Sequence, residues 1–260
     1  MDSYKCGLVL SGGGVRGVAH IGVIKALLEY NIVPDVVSGS SAGAVVGALY
    51  CNGYTPEQML EFFKLIPIFQ VNKFALLKPG FIDTDKFYPD FKKYFPHDRF
   101  SGLEKKLFVT TVDLCQGDVK VFDQGDLIRP LLGSLAFPGL FSPILMDKVI
   151  YGDGGILDNF PIAPLMGISD RLIGVYASPL NKIAPMELKN SLKVLERAIR
   201  INYSKRSLAK FKHCDLMFQP KKLHDYALLD IGKIDEIFAI GYECAIETLK
   251  KEGPLMPSES

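Results

Sequence analysis

The sequence predicts an α/β fold in which helices cover a parallel sheet. Three observations carry that expectation. A short apolar run, Leu8 to Leu10, enters a glycine cluster, and Val18, Ile21, Ile24, Leu27 and Leu28 then recur at helical spacing. A second short run, Val36 to Ser40, passes directly into the small-residue helix "AGAVVGALY". A strand–helix–strand–helix opening of this kind requires neighbouring strands to lie parallel, with their crossovers packed on the sheet faces. The composition supplies the core: 48% of the 260 residues are hydrophobic, and Gly and Pro show no bias toward disorder.

The remaining elements follow in order. From Thr55 to about Phe100 the texture changes, and nine of the 17 phenylalanines fall there: Phe62, Phe63, Phe69, Phe74, Phe81, Phe87, Phe91, Phe95 and Phe100. Thr55-Pro56-Glu57 and Asp83-Thr84-Asp85 read as helix starts, so the segment is a helical insertion whose aromatic faces are expected to serve the core, with a lipid-facing lid as the alternative. "KLFVTTVDL" and "DVKVFD" flank Cys115-Gln116-Gly117 and predict a hairpin. Asp126 is the expected cap of a helix running to about Leu135. "PILMDKVIYGDGG" reads as one strand ending at a glycine pair, "RLIGVYAS" as another, and "CDLMFQP" as the last. Helices near 186–212 and 234–250 fit around that last strand. No repeat, linker or low-complexity tract interrupts the chain. One domain over 1–260 is expected, with residues 166–260 completing the fold.

Charge and cysteine content exclude several function classes. A formal charge of +1 argues against nucleic acid as a partner. The five cysteines are odd in number and scattered, without a C-x-x-C pair, so they are expected as buried free thiols in a reducing compartment and not as metal ligands. No signal-peptide pattern opens the chain and no apolar run is long enough to span a bilayer. The expectation is a cytoplasmic protein, with peripheral membrane contact left open. Nine basic residues against two acids between Lys182 and Lys212 bear on that contact. Leu188, Leu192, Leu195 and Ile199 predict a buried stripe there, beneath a solvated face.

The chemistry concentrates at three places. Gly39-Ser40-Ser41-Ala42-Gly43 matches G-x-S-x-G at a strand-to-helix junction, the setting that thrusts a serine oxygen above the sheet edge. Ser41 is the candidate nucleophile, with a capping serine as the plain alternative. Asp153 ends an apolar strand and is followed by Gly154 and Gly155, where parallel-sheet enzymes place functional residues. Asp158 is the rival carboxylate. Gly12, Gly14 and Gly17 satisfy G-x-G-x-x-G, but Asp35 precedes the second strand instead of following it, which weakens a nucleotide reading. The histidines His97, His213 and His224 lack a supporting pattern for a hydrolase triad, and His20 sits beside the glycine loop.

Together these stretches resemble the patatin-like phospholipase family. The resemblance rests on Gly12-Gly13-Gly14-Val15-Arg16-Gly17, on Gly39-Ser40-Ser41-Ala42-Gly43 and on Asp153-Gly154-Gly155, reinforced by "SLAFPGLFSPI" (134–144) and "DNFPI" from Asp158. It covers roughly residues 6–165. The resemblance implies a three-layer sandwich around a mostly parallel sheet, with no metal or cofactor. It also implies a serine acyl hydrolase acting on phospholipids or related acyl lipids, with Ser41 as nucleophile, Asp153 as base and no histidine. The Gly12, Gly13 and Gly14 amides then form the oxyanion hole, with the Ala42 amide as a candidate helper. A carboxylate near its reference pKa of about 3.9 is a feeble base for serine, so Asp153 must be desolvated. For Arg16 a substrate-binding role and a structural ion pair stand even. The alternatives are an esterase with a Ser-Asp-His triad and, further off, a nucleotide-binding protein.

Overall fold

The computed structural model describes residues 3–66, 73–75 and 79–252; Phe69 and the side chain of Leu192 lie outside the described residues. Strand β1 (Tyr4–Leu10) is fully buried from Gly7 onward and lies between β2 (Val36–Ser40) and β7 (Ser169–Val175), parallel to both. The remaining strands are β3 (Lys106–Asp113), β4 (Asp118–Phe122), β5 (Ile144–Met146), β6 (Val149–Asp153) and β8 (Leu216–Phe218). The sheet order is β5-β6-β3-β2-β1-β7-β8, with β4 against β3. Pairings from β3 across to β8 are parallel, whereas β4 and β6 run antiparallel to β3, and β5 to β6. The sheet is therefore mixed, with a parallel half and an antiparallel corner.

Side-chain alternation gives each face its own core. Leu8, Leu10, Val37, Ile173 and Val175 point to one face, whereas Val9, Val36 and Leu172 point to the other. The first face is covered by helices α1 (Ala19–Glu29), α2 (Ala42–Cys51), α5 (Ile128–Leu135) and α7 (Ile234–Glu252). Phe160, Ile162, Leu165 and Phe211 cover the second. All ten residues of α2 are buried, which explains its run of Gly, Ala and Val. The C-terminal helix is stitched to the first one by backbone contact: a Cβ on Gly241 would strike the Ala19 carbonyl, and one on Gly22 would strike the Phe238 carbonyl.

Helices α3 (Pro56–Leu65) and α4 (Tyr88–Tyr94) form the aromatic insertion. Thr55 closes a capping box with Gln58, as its sequence position predicts. Phe62, Phe87, Phe91, Phe95 and Phe100 are buried, and Phe62 meets Phe91 edge-on at 5.4 Å. Phe74 and Phe81 are exposed.

Three local expectations are corrected. The segment read as one strand is a hairpin, β5 and β6, turning at Asp147 and Lys148, both with positive φ. That left-handed pair suits a tight hairpin, but Asp-Lys lacks the Asn-Gly or Asp-Gly signature that would have revealed it. The α5 cap is Asp98, not Asp126: its Oδ1 accepts the Leu127 and Ile128 amides at 3.2 and 2.7 Å. A cap supplied from about thirty residues away leaves no local mark. Finally, of the stripe expected along α6 (Ser191–Lys210), Ile199 alone among the described side chains packs against the core. Leu188 and Leu195 are exposed, and Tyr203, Ser204 and Ser207 face inward. All five cysteines are free; Cys51 is buried and Cys115 is exposed.

Candidate active site

The strand-to-helix junction leaves a single residue between β2 and α2. Ser41 takes φ 53 and ψ −127, a left-handed conformation that a non-glycine residue holds only under constraint from its surroundings. The constraint is visible on both sides. A Cβ on Gly43 would collide with the carbonyls of Leu10 and Ser11, so α2 can begin this close to β1 only with glycine there. The Ser41 amide donates to Ser134 Oγ at 2.8 Å, and that hydroxyl donates to the Thr110 carbonyl at 2.7 Å.

Strand β3 sets the distance to the second group. It pairs with β2 through Thr110 opposite Ser40, and with β6 through Thr111 opposite Asp153. Successive residues of one strand thus hold the ends of two others side by side. The result is a hydrogen bond from Ser41 Oγ to Asp153 Oδ2 at 2.7 Å. The other carboxylate oxygen, Oδ1, accepts the Gly155 amide at 2.7 Å. Asp153 is 3% exposed, and burial pushes its carboxyl up to about 6 from 3.8, against the lowering effect of the two hydrogen bonds. The desolvation required of a basic aspartate is present.

The glycine loop lies against this pair. The Gly12 carbonyl accepts Ser178 Oγ at 2.7 Å, and the Gly13 carbonyl accepts Arg16 Nε at 3.1 Å. In a trans peptide the carbonyl and the following N–H point opposite ways, so fixing these oxygens fixes the Gly13 and Gly14 amides. Neither amide has a protein acceptor among the described residues. The Gly12 amide is different: it donates to the Asn159 carbonyl at 3.0 Å. Its expected place among the oxyanion donors is corrected accordingly, because a donor already used in the backbone cannot also meet a substrate. Ala42 is the first residue of α2, so its amide has no intrahelical partner, and it touches the same cavity.

Arg16 is fully buried, and its guanidinium donates to Gly13 O, Tyr226 O and Glu196 Oε1. Of the two roles left even, the structure has the internal ion pair; an inaccessible guanidinium cannot bind a headgroup. Asp158 pairs with Lys210 at 2.5 Å, away from Ser41. His20 is buried behind the loop with Nε2 2.8 Å from Ser11 O, and burial lowers its pKa to about 4. His97, His213 and His224 do not line the cavity.

Ser41 and Asp153 open onto a cavity with about 900 Å³ of empty space, part of it open to solvent. Its walls are almost wholly apolar. Phe62, Phe63, Phe87 and Phe91 come from the insertion, Phe137 and Phe141 from the 134–144 stretch, and Leu228, Leu229, Ile231 and Ile234 from the approach to α7. Leu228, Leu229, Ile231 and Ser178 carry no local signature in the sequence, and Ser134, which opens the 134–144 stretch, carries none for its bond to the Ser41 amide.

Comparison with known proteins adds a family. The family described as Patatin-like phospholipase matches residues 8–166. The chain belongs to the patatin-like phospholipase family. It is 26% identical to a protein named lysophospholipase nte1 from Neurospora crassa, over 94% of this chain and 18% of that protein. The counterpart from Candida albicans is 27% identical over 94% of this chain and 20% of its own length. The chain therefore spans about a fifth of the length of the curated relatives it matches. Among solved structures, VipD from Legionella pneumophila shares the fold with a TM-score of 0.56 at 14% identity, over 96% of this chain and 67% of that one. The type III effector ExoU gives 0.50 at 16% identity, over 98% of this chain and 54% of its own. The family match ends at 166, before Ser178 and the Leu228–Ile234 wall.

Proposed function

We propose that the chain hydrolyses a carboxylic ester of a phospholipid or related acyl lipid, with Ser41 as nucleophile and Asp153 as its base. The observation that carries this reading is the 2.7 Å bond from Ser41 Oγ to a buried, proton-seeking carboxylate at the floor of an apolar cavity. An acyl chain fits those walls by chemistry, and the relatives named lysophospholipases support a lipid ester.

The steps follow from the geometry. Ser41 Oγ bonds to the ester carbonyl carbon while its proton passes to Asp153 Oδ2. The oxyanion is stabilised by the Gly13 and Gly14 amides, with the Ala42 amide beside them; one such donor is worth about 2.7–4 kcal/mol in the transition state. Collapse breaks the bond to the leaving alcohol, which takes the proton from Asp153. Water then attacks the acyl-enzyme, its proton going to Asp153 and on to Ser41, and the fatty acid leaves. The exposed free thiol of Cys115 supports a reducing, cytoplasmic setting. No helix among the described residues is long and apolar enough to cross a membrane, and the proposal takes any membrane contact to be peripheral.

Turnover of acyl esters by the native chain, Ser41→Ala and Asp153→Asn tests the reading. The expected loss is at least about 10³-fold for each variant. Equal rates in all three would overturn it. A triad reading would need one of His97, His213 or His224 to be essential, and replacing each by Asn should leave turnover within about threefold, since no catalytic contact is lost.

A further inference from the structure

Helix α6 presents a face that nothing in the described chain covers. Val194, Ile201 and Leu208 recur every seven residues and are 49%, 48% and 51% exposed. A spacing of seven is two turns, so the three side chains form one line along the outer side. Met186 and Leu188 continue the exposed apolar surface toward its N-terminal end. The inward side is accounted for by Tyr203, Ser204 and Ser207.

The charges beside this line are predominantly positive. Lys182, Lys189, Lys193, Lys205, Arg206 and Lys212 are exposed, and none has an ion-pair partner among the described residues. Of the segment's two acids, Glu196 is occupied internally and Glu187 is exposed. Glu196 takes Arg16 and Arg200, and Glu187 Oε1 accepts the Ala184 amide. The surface thus shows six exposed cations against one exposed carboxylate, Glu187, beside a line of apolar side chains. A protein partner would need a complementary acidic face, but anionic lipid headgroups above an acyl layer match both features at once.

The helix also lies at the end of the sheet where Ser41 and Asp153 meet. Asn202 Nδ2 donates to Ile156 O at 3.2 Å, three residues beyond Asp153. Leu195 Cδ2 lies 2.8 Å from where a Cβ on Gly139 would sit, in the loop whose Phe137 and Phe141 wall the cavity.

We propose that the outer face of α6, with Val194, Ile201 and Leu208 as its apolar line and Lys205 and Arg206 among its cations, docks the protein on an anionic lipid surface. The apolar line settles at the acyl boundary, and the lysine stems reach outward to the headgroups. Docking itself is independent of the reading of Ser41 and Asp153; only its effect on turnover rests on that reading.

Sedimentation of the full chain with vesicles tests the docking. The probes are phosphatidylcholine vesicles with and without phosphatidylglycerol. Binding should require the anionic lipid and weaken as salt rises. Lys205→Glu with Arg206→Glu should weaken it by at least about thirty-fold, the loss of two cations, with the two added carboxylates repelled as well. Ile201→Ser with Leu208→Ser should weaken binding at high salt more than at low salt. Both pairs are solvent-exposed, so hydrolysis of a short, water-soluble ester should stay unchanged while hydrolysis of vesicle lipid falls. Equal binding to both kinds of vesicle, or native binding by the charge-reversed variant, would overturn the proposal. So would a concentration-dependent dimer that the Ile201→Ser, Leu208→Ser variant abolishes. If the native chain fails to hydrolyse even the soluble ester, the assignment of Ser41 and Asp153 is what has failed.

Discussion

Two regions share one cavity and are built on opposite terms. At the floor, Ser41 and Asp153 are polar, buried and held by directed hydrogen bonds, with one residue in a left-handed conformation and one carboxylate desolvated. The walls are chiefly phenylalanine, leucine and isoleucine, most of them packed into the main core, with Thr84 a polar exception whose hydroxyl donates to the Ser142 carbonyl. Floor residues are kept despite a cost in stability, whereas wall residues supply stability as a by-product of shaping the site. Substitutions in the two regions should therefore move activity and stability in different combinations.

The largest contrast is expected at Asp153. Its carboxyl binds a proton more readily in the folded chain than in the unfolded one, about 6 against 3.8. The ionised form therefore costs stability, fully above about pH 6 and not at all below 3.8. Asp153→Asn should abolish turnover and yet raise stability at pH 8, by up to about 3 kcal/mol, with the gain vanishing by pH 4. Thermal melts of both proteins at the two pH values check this; a lower melting temperature for the variant at pH 8 would break the contrast.

The wall should behave the other way. Phe91→Ala removes a ring that is 2% exposed and in edge-on contact with Phe62, so a loss of about 3–5 kcal/mol is expected in urea unfolding. Hydrolysis of a short ester, measured where the variant is still folded, should change little, because Phe91 touches neither reacting group. A collapse of short-ester turnover without unfolding would erase the distinction between floor and wall.

Ser178 offers a finer cut. Ser178→Ala removes the shortest of the hydrogen bonds on the Gly12 carbonyl, leaving the longer ones from Ser11 and Asn159, and loosens the aim of the Gly13 amide. A fall in kcat of about tenfold to a hundredfold is expected, with KM and melting temperature nearly unchanged, below the loss caused by deleting a donor outright. Weaker binding of a trifluoromethyl-ketone analogue, in step with kcat, would identify the effect as loss of oxyanion stabilisation; an unaltered affinity would refute it.

A smaller effect separates the floor from its surroundings by pH. The base works only when ionised, so kcat/KM should fall about tenfold per unit below roughly pH 6 and level off above it. His20 titrates in the opposite sense for stability. Its folded pKa is depressed to about 4 from 6.5, so the stability it contributes is complete above 6.5 and lost on acidification toward 4. A profile that instead follows a group near 4 would contradict a desolvated Asp153.

Legibility in the sequence followed the range of the interaction. The G-x-S-x-G turn, the glycine loop and the Asp-Gly-Gly strand end are local patterns, and each stands where its pattern placed it. The Thr55 capping box and the hairpin at Gly117 were legible for the same reason. Asp98 capping α5, Ser178 on the Gly12 carbonyl and Arg16 with Glu196 were not, because each joins residues far apart in the chain. The Asp147-Lys148 turn is not legible because Asp-Lys lacks the glycine of the usual hairpin signatures, and the β5–β6 pairing closes this exposed turn.

The sequence by itself determined the alternation of strands and helices, the serine on a sharp turn and the bare glycines. These need only neighbouring residues and the allowed regions of φ and ψ. Tertiary structure alone decided that Asp153 stands one β3 residue along from Ser40, and that burial pushes its carboxyl up to about 6. It also decided which glycine amide is spent on Asn159 and which are free. Those outcomes depend on strand register and on distant groups arriving at one point, which no window of sequence contains.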